Sequence, residues 1–274
     1  MKYTLNKPLS DIYPSSWLDK LDLPNTYIAE YPSLAYFKHH VKPLKQKNDM
    51  KTGISYAEAL DGLLRNKATM SFGDYQIIKN NVRNNLLKRG LISENIYESY
   101  RYEVEGHLVD VAKVIAEDPE CFLVPNHTYT NYFYELYINV SYPYNVEDST
   151  IRNNMAKILA TVELLEQEHI YCKITLVMPN TRCNTGSGPR NHLILIPLFS
   201  HKDHKDIETM SSVLNERLLR KFFFAIWEDQ YGSNLASGYG IATTLPHSIN
   251  PGDTLDEVEL CSNILNQVLQ PGVR

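Results

Sequence analysis

The segment after residue 200 reads His-Lys-Asp-His-Lys-Asp and holds the side chains best suited to metal chemistry in this sequence. His201, Asp203 and His204 place two imidazoles and a carboxylate within four positions, a set that a divalent metal can bind on a turn. Two interleaved lysines repel a cation, and the spacing matches no established metal motif. We therefore predict no metal or other cofactor, and expect Asp203 or Asp206 to cap the following helix. A metal-dependent hydrolase built on the three side chains stays an alternative.

A glycine-containing segment over residues 181–190 offers a second chemistry, the binding of phosphate. Arg182 and Arg190 flank Gly186, Ser187 and Gly188, and guanidinium groups with free backbone amides bind phosphate oxygens. The segment has no Lys-Ser or Lys-Thr after the glycines and leads into no helix, so it is not a P-loop. We interpret it as a hairpin loop that contacts a phosphate or an acidic partner.

Seven aromatic residues lie between positions 129 and 144. Bases of single-stranded nucleic acid stack on such rings, which makes Tyr142 and Tyr144 candidate contacts. The surrounding sequence is acidic, so nucleic-acid binding needs positive charge from elsewhere in the chain. The candidates for that charge are Lys79, Arg83, Lys88 and Arg89. A buried strand also explains many of these rings, and we favour a core with an edge that faces a partner.

Sequence motifs for catalysis are missing from the chain. It contains no G-x-S-x-G, no H-E-x-x-H and no G-x-G-x-x-G. Paired carboxylates occur no more often than chance gives. These observations favour a binding protein over an enzyme and leave catalysis open.

Composition and charge describe a folded protein with segregated charge. The 274 residues are 43% hydrophobic and 22% charged, with net charge -5, values typical of a globular chain. Residues 37–101 carry twelve basic and six acidic side chains, and residues 102–180 carry four basic and twelve acidic ones. No apolar run is long enough to span a bilayer or form a signal peptide, so we expect a cytoplasmic protein without a membrane partner. The four scattered cysteines indicate no disulfide framework.

Apolar spacing predicts the elements that position these residues. Helices are predicted over residues 55–64, 77–89, 148–169, 206–229 and 254–269, and strands over 132–140, 171–178, 192–199 and 241–245. In the second helix Ile77 and Ile78 both count toward the apolar face. Residues 108–115 fit a helix or a strand, and residues 180–191 read as a loop between two antiparallel strands.

The order of these elements predicts a mixed α/β fold. We expect a mostly parallel sheet with one antiparallel edge strand and covering helices. Five prolines break the first 50 residues, which predicts an extended arm. The predicted domains are a Pro-rich arm with a basic helical lobe over residues 1–105 and an α/β domain over residues 106–274.

The C-terminal half resembles a von Willebrand factor A-type domain, in which a first strand leads to a metal-binding loop, then a helix and a hairpin. The family's Asp-x-Ser-x-Ser loop matches Asn139-Val140-Ser141-Tyr142-Pro143 here. Asn139 and Pro143 replace two of the three ligand positions, which removes oxygen donors that a hard cation needs. The resemblance therefore implies an A-type-like topology with a degenerate metal site.

A second resemblance covers residues 53–260. The segments GISYAEALDGLL, VEGHLVDVAKVIAEDPECF and NERLLRKFFFAIWE look like an uncharacterised family of tailed-bacteriophage proteins. This resemblance implies a phage protein in the cytoplasm of an infected host and supplies no catalytic residues.

The sequence thus predicts a non-catalytic phage accessory protein, an adaptor or assembly module that binds a protein partner, such as phage or host polymerase machinery. The first alternative is a single-stranded nucleic-acid-binding factor in phage transcription or replication, with single-stranded DNA as ligand. A steep fall of affinity with salt distinguishes that alternative from the adaptor. The oligomeric state is left open.

Overall fold

The chain forms a mixed α/β structure in the computed structural model. The described residues are 26–45, 55–67, 70–93, 100–105, 108–125, 131–143, 145–185, 188–205, 207–213, 216–231 and 241–269. The helices in these ranges are α1 (Leu34–Val41), α2 (Tyr56–Leu64), α3 (Phe72–Lys88), α4 (Val111–Ile115), α5 (Asp148–Gln167), α6 (Ile207–Val213), α7 (Glu216–Tyr231) and α8 (Glu257–Leu269). The strands are β1 (Thr26–Glu30), β2 (Tyr100–Glu103), β3 (Leu108–Val109), β4 (Phe122–Pro125), β5 (Tyr132–Asn139), β6 (Ile170–Thr185), β7 (Gly188–Phe199), β8 (Ile241–Ala242) and β9 (Ser248–Ile249).

Six strands form the main sheet, in the order β1-β7-β6-β5-β9, with β8 pairing with the far part of β6. Strand β5 runs parallel to β6 and to β9, and β1 runs parallel to β7. The long pair of β6 and β7 is antiparallel, as is the two-residue pair of β6 and β8. The parallel partners β5 and β6 are joined by α5, the crossover helix that a parallel pair requires.

The predicted mixed α/β class, with a mostly parallel sheet flanked by helices, is confirmed. One detail differs from the expectation of an antiparallel edge strand. Strand β7 lies inside the sheet, because β1 pairs with its outer side from Thr26↔Asn191 to Glu30↔Leu195. Local sequence could not reveal this, because β1 is a five-residue strand far from its partner along the chain.

The expected loop over residues 180–191 is also corrected. Strands β6 and β7 continue through most of it, with Cys183 opposite Arg190 and Thr185 opposite Gly188. A register shift between Asn180 and Cys183 absorbs the irregular residues as a bulge. Turn-forming residue types therefore lie within a bulged ladder here.

Both faces of the sheet are buried near its centre. Successive strand residues point to opposite faces, and Val177 and Met178 of β6 are both buried, as are Leu193 and Ile194 of β7. The main sheet therefore has little exposed surface near its centre. None of the described helices combines the length and apolarity needed to cross a bilayer.

Helix α7 is buried on all sides from residue 221 to 228. Its Phe222 contacts Phe37 of α1 and Tyr56 of α2, with ring centroids 6.2 and 5.5 Å apart. Of the helix predicted over 206–229, the described residues form α6 and α7, and residues 214–215 between them lie outside the described residues. The large apolar residues of α7 are therefore buried inside the protein, with α1 and α2 packed against Phe222.

A separate three-stranded sheet has the order β2-β4-β3. The segment 108–115, which the sequence left between helix and strand, contains both: β3 is followed at once by α4. Asp110 separates them, because its side chain accepts hydrogen bonds from the backbone N–H groups of Ala112 and Lys113. This is the ordinary geometry of an N-cap.

The predicted division near residue 105 stays a prediction. Strand β1 of the N-terminal part joins the main sheet, and one core cluster contains Phe37 and Leu63 together with Ile138 and Ile194. Residues 1–25 and 46–50 of the predicted arm lie outside the described residues.

Candidate docking groove and the predicted site residues

A groove of about 340 Å³ lies between the beginnings of α3 and α5. Its lining residues are Met70, Asp74, Ile77, Ile78, Ser149, Arg152 and Asn153. The α3 side is mostly aliphatic and the α5 side is polar. Such a groove can accept an apolar side chain and hold polar groups beside it.

Two apolar side chains of α3 are open to solvent, and one of them, Ile77, lines the groove. Ile77 is 63% exposed, and Phe72, in the first turn of the same helix, is 68% exposed. Helix α3 buries Tyr75, Val82 and Leu86, which lie on one face at helical spacing. Ile77 lies off that face, so packing within the chain does not explain why this position carries an apolar side chain.

The start of α3 is fixed locally by its cap. The hydroxyl of Ser71 accepts a hydrogen bond from the backbone N–H of Asp74 at 3.1 Å and donates one to its carboxylate at 2.7 Å. Because Ser71 caps the helix in this way, the first turn that carries Phe72 and Asp74 is held in place.

Polar contacts also tie α3 to the body of the protein. Lys79 forms an ion pair with Glu163 of α5 at 2.5 Å, and Asn85 donates to Glu257 of α8 at 2.8 Å. Burial, with the nearby Glu163 carboxylate, raises the pKa of Tyr75 well above its usual range. The groove is therefore formed by two helices that are already fixed to each other.

The four predicted basic residues of α3 have different environments. Lys79 is paired with Glu163 and largely buried, Arg83 is half-buried, and Lys88 and Arg89 are exposed at the end of the helix. Lys88 and Arg89 are thus the accessible cations of this set, and Lys79 is engaged in an ion pair within the protein.

The two predicted tyrosines and the two arginines of the hairpin also differ in how exposed they are. Tyr142 is 5% exposed, so its ring faces are covered, and Tyr144 lies outside the described residues. Arg182 is exposed in the bulge of β6 with φ 56°, and its backbone N–H donates to Asn191 at 3.1 Å. Arg190 is half-buried in the ladder opposite Cys183.

The predicted metal candidates are separated by their contacts. The carboxylate of Asp203 accepts a 2.6 Å hydrogen bond from the backbone N–H of Ser200, which lowers its pKa. The ring of His201 packs against Phe133, with centroids 5.1 Å apart, and His204 is exposed. Within the described ranges no group of three or more potential ligands is arranged around a metal position. Asp203 closes a turn, and Asp206 lies outside the described residues.

The segment that resembles the A-type metal loop is a hydrogen-bonded polar cluster. The amide of Asn139 donates to the Thr243 carbonyl at 3.2 Å and to Thr244 Oγ1 at 3.3 Å, and its oxygen accepts from the Ser141 N–H at 3.0 Å. The Ser141 hydroxyl donates to Asn180. These groups satisfy one another and connect the end of β5 and the residues after β8 to Asn180 within β6.

His192 on β7 is fully buried against aromatic rings. Its ring lies 4.9 Å from Trp227 and 5.7 Å from Tyr27, measured between centroids. Burial, assisted by Arg190, lowers its pKa from 6.5 to about 4. The folded protein therefore keeps this imidazole neutral in acid where the unfolded chain is protonated.

Acid is expected to destabilise the protein through His192. Above pH 6.5 neither state holds a proton on this ring, and below that value only the unfolded state gains one until about pH 4. The loss over this window is about 3 kcal/mol. Urea unfolding of wild type and His192→Phe at pH 7, 5 and 4 measures it, since carboxylates contribute equally to both proteins. Parallel pH profiles of the two proteins would contradict the assignment.

Comparison with known proteins gives one family. No curated protein and no solved structure matches the chain. The model of one protein family, described as a domain of unknown function (DUF7192), matches residues 7–268. This match includes both helices that form the groove, and on this basis the chain belongs to the DUF7192 family.

Proposed function

We propose that this protein is a non-catalytic accessory protein that binds a partner protein through the groove between α3 and α5. The observation that carries the proposal is the exposure of Ile77 in a groove formed by fixed helices. Exposed apolar side chains next to a concave surface are typical of protein-binding sites.

The groove has the form expected for an amphipathic partner helix. Met70, Ile77 and Ile78 offer an aliphatic wall, and Asp74 and Arg152 place opposite charges at its rim. A partner helix can insert one large apolar side chain while its flanking polar residues meet these charges. The charges then select the orientation of the partner more than its affinity.

The nucleic-acid alternative receives less support from the geometry. Single-strand binding needs cations along a path of accessible aromatic rings. Lys79 is engaged with Glu163, and the ring of Tyr142 is covered. Lys88, Arg89 and Arg182 are what remains of the predicted set as exposed cations. The hydrolase alternative receives less support still, because the carboxylate of Asp203 is used by its own turn.

We propose more specifically that the protein is a phage adaptor and that its C-terminal half is A-type-like. The succession of β5, α5, β6 and β7 agrees with the strand, helix and hairpin order of A-type domains. A polar loop without metal ligands at Asn139–Pro143 fits an assembly module that has no adhesion metal. Phage or host polymerase machinery is the partner class that we propose.

Replacing Ile77 by aspartate is expected to weaken partner binding strongly and to change stability little. A charge in the groove removes the apolar contact and must be desolvated on binding, which weakens affinity by at least about tenfold. Because Ile77 is exposed, the free energy of unfolding changes by no more than about 0.5 kcal/mol. Affinity capture from the cells that make the protein, followed by quantitative mass spectrometry, measures retention of each partner.

The matched control is Asn84→Asp, which adds the same charge at an exposed position of α3 two turns beyond Ile77 and outside the groove lining. A partner retained by wild type and Asn84→Asp and lost from Ile77→Asp supports the proposal. Equal retention by all three proteins would reject the groove as the binding site.

A salt series with a labelled single-stranded oligonucleotide separates the adaptor from the nucleic-acid alternative. For the adaptor we expect no salt-sensitive binding of the oligonucleotide. Salt-sensitive binding that is lost on charge reversal at Lys88 and Arg89, or at Arg182 and Arg190, would support the alternative instead.

A further inference from the structure

The small sheet and α4 carry an aliphatic surface that the described part of the chain leaves uncovered. Helix α4 has no buried residue, and its Val111 and Ile115 are 67% and 78% exposed. The aliphatic members of this surface are Val104, Val109, Val111, Val114 and Ile115. We call it the aliphatic surface.

Strand register places these residues together. Glu103 of β2 and Val109 of β3 both pair with Phe122 of β4, so Val104 and Val109 lie at the same end of the small sheet. Val111, Val114 and Ile115 follow on the helix that begins directly after β3, and side chains three and four apart on a helix are neighbours. The aliphatic surface therefore combines one end of the small sheet with the helix that directly follows it.

The residues around the aliphatic surface are strongly acidic. The described residues from 100 to 125 contain six acidic side chains, at 103, 105, 110, 117, 118 and 120, and two basic ones. One of the basic residues, Lys113, pairs with Asp118 at 3.1 Å and donates to the Glu120 carbonyl at 3.3 Å. Glu105, Glu117 and Glu120 are exposed. The charge offered to a partner is thus negative.

We propose that the aliphatic surface binds a basic amphipathic segment of another protein, at a site separate from the α3–α5 groove. Five aliphatic side chains supply contact area, which favours an apolar stripe on the partner. The acidic rim attracts lysine and arginine beside that stripe and repels acidic segments and nucleic acid. This charge complementarity identifies the partner as basic.

A direct test uses the full chain and three synthetic peptides of equal length. One alternates leucine and lysine, the second has glutamate in place of lysine, and the third has serine in place of leucine. Fluorescence anisotropy is expected to show the leucine-lysine peptide binding at least about tenfold more tightly than either other peptide. Raising the salt concentration should weaken this binding, because exposed charges are screened.

Two variants assign the binding to this surface. The double variant Val111→Ser/Ile115→Ser removes exposed aliphatic contact, and Glu117→Lys/Glu120→Lys reverses the rim charge; each should weaken binding by about tenfold. Glu259→Lys, at an exposed position on α8, is the charge-reversal control and should bind as wild type. Ile77→Asp should also bind as wild type, which keeps this inference independent of the groove.

Several outcomes would overturn the inference. Equal affinity for the lysine and glutamate peptides, or full binding by both surface variants, would show that this surface recognises no basic segment. Light scattering provides a further outcome: a concentration-dependent dimer that Val111→Ser/Ile115→Ser dissociates would make a second copy of the chain the occupant and would refute the proposed basic partner.

Discussion

Replacing Phe222 by alanine is expected to lower the free energy of unfolding by about 3–5 kcal/mol. Phe222 is fully buried on α7, and its ring meets Phe37 and Tyr56 edge-on. The lost ring leaves a cavity where α1, α2 and α7 meet, and a helix enclosed on all sides cannot collapse easily into the space. The large expected effect comes from this enclosure.

Urea unfolding followed by circular dichroism measures the effect, and Phe72→Ala is its matched control. The control removes the same ring from an exposed position, so its effect should stay within about 0.5 kcal/mol. Phe222→Leu, a milder change, keeps the test usable if the alanine variant does not fold. A loss below about 1 kcal/mol in Phe222→Ala would contradict the described packing of α7.

Replacing Glu166 by glutamine is expected to destabilise the protein by about 3 kcal/mol. The side chain of Lys205 is fully buried, and its ammonium lies 2.5 Å from the Glu166 carboxylate. Removing the carboxylate charge leaves a buried cation without its counterion, which costs more than the pair itself contributes. Glu166 keeps some contact with solvent, which limits the loss to the lower end of the range known for buried pairs.

The double variant Glu166→Gln/Lys205→Met distinguishes a buried charge from a general packing defect. Methionine fills similar volume without charge, so the double variant should regain most of the stability lost in Glu166→Gln. Thermal and urea unfolding at neutral pH measure both proteins. If the second substitution lowers stability further, the ion pair is not the source of the first effect.

Local signals were sufficient to predict much of the fold. Helix α2 has apolar residues at helical spacing and a capping box, in which Ser55 and Glu58 bond each other's backbone N–H groups. Strand β5 is rich in aromatic and β-branched residues and ends before a proline. In these elements the local preference and the tertiary structure agree.

Elements that depend on distant partners could not be predicted in this way. Strand β1 is a short segment near two prolines, and its pairing with β7 defines it. The ladder between Cys183 and Arg190 contains residue types that favour turns. Tertiary hydrogen bonds decide both cases, and these bonds leave no periodic signal in the sequence.

The candidate sites show the same division between local and distant information. Ile77 and Ile78 are adjacent, so apolar spacing assigns both to the buried face although the groove exposes Ile77. In the sequence Lys79 is indistinguishable from a free cation, because its ion-pair partner Glu163 lies on another helix. The apolar residues Val111 and Ile115 are exposed in the structure, and the sequence could not show this because burial depends on which distant segments pack there.

The position of β1 bears on how the protein avoids aggregation while it is being made. The ribosome releases β1 long before β7, yet β1 is the strand that covers the outer side of β7. Until β1 docks, β7 presents unpaired backbone groups and the apolar residues Leu193 and Leu195 along an open edge, which is a template for pairing with another chain. Docking of β1 therefore closes a surface that is most exposed in newly synthesised molecules, and its speed sets how long nascent chains can associate through their sheets.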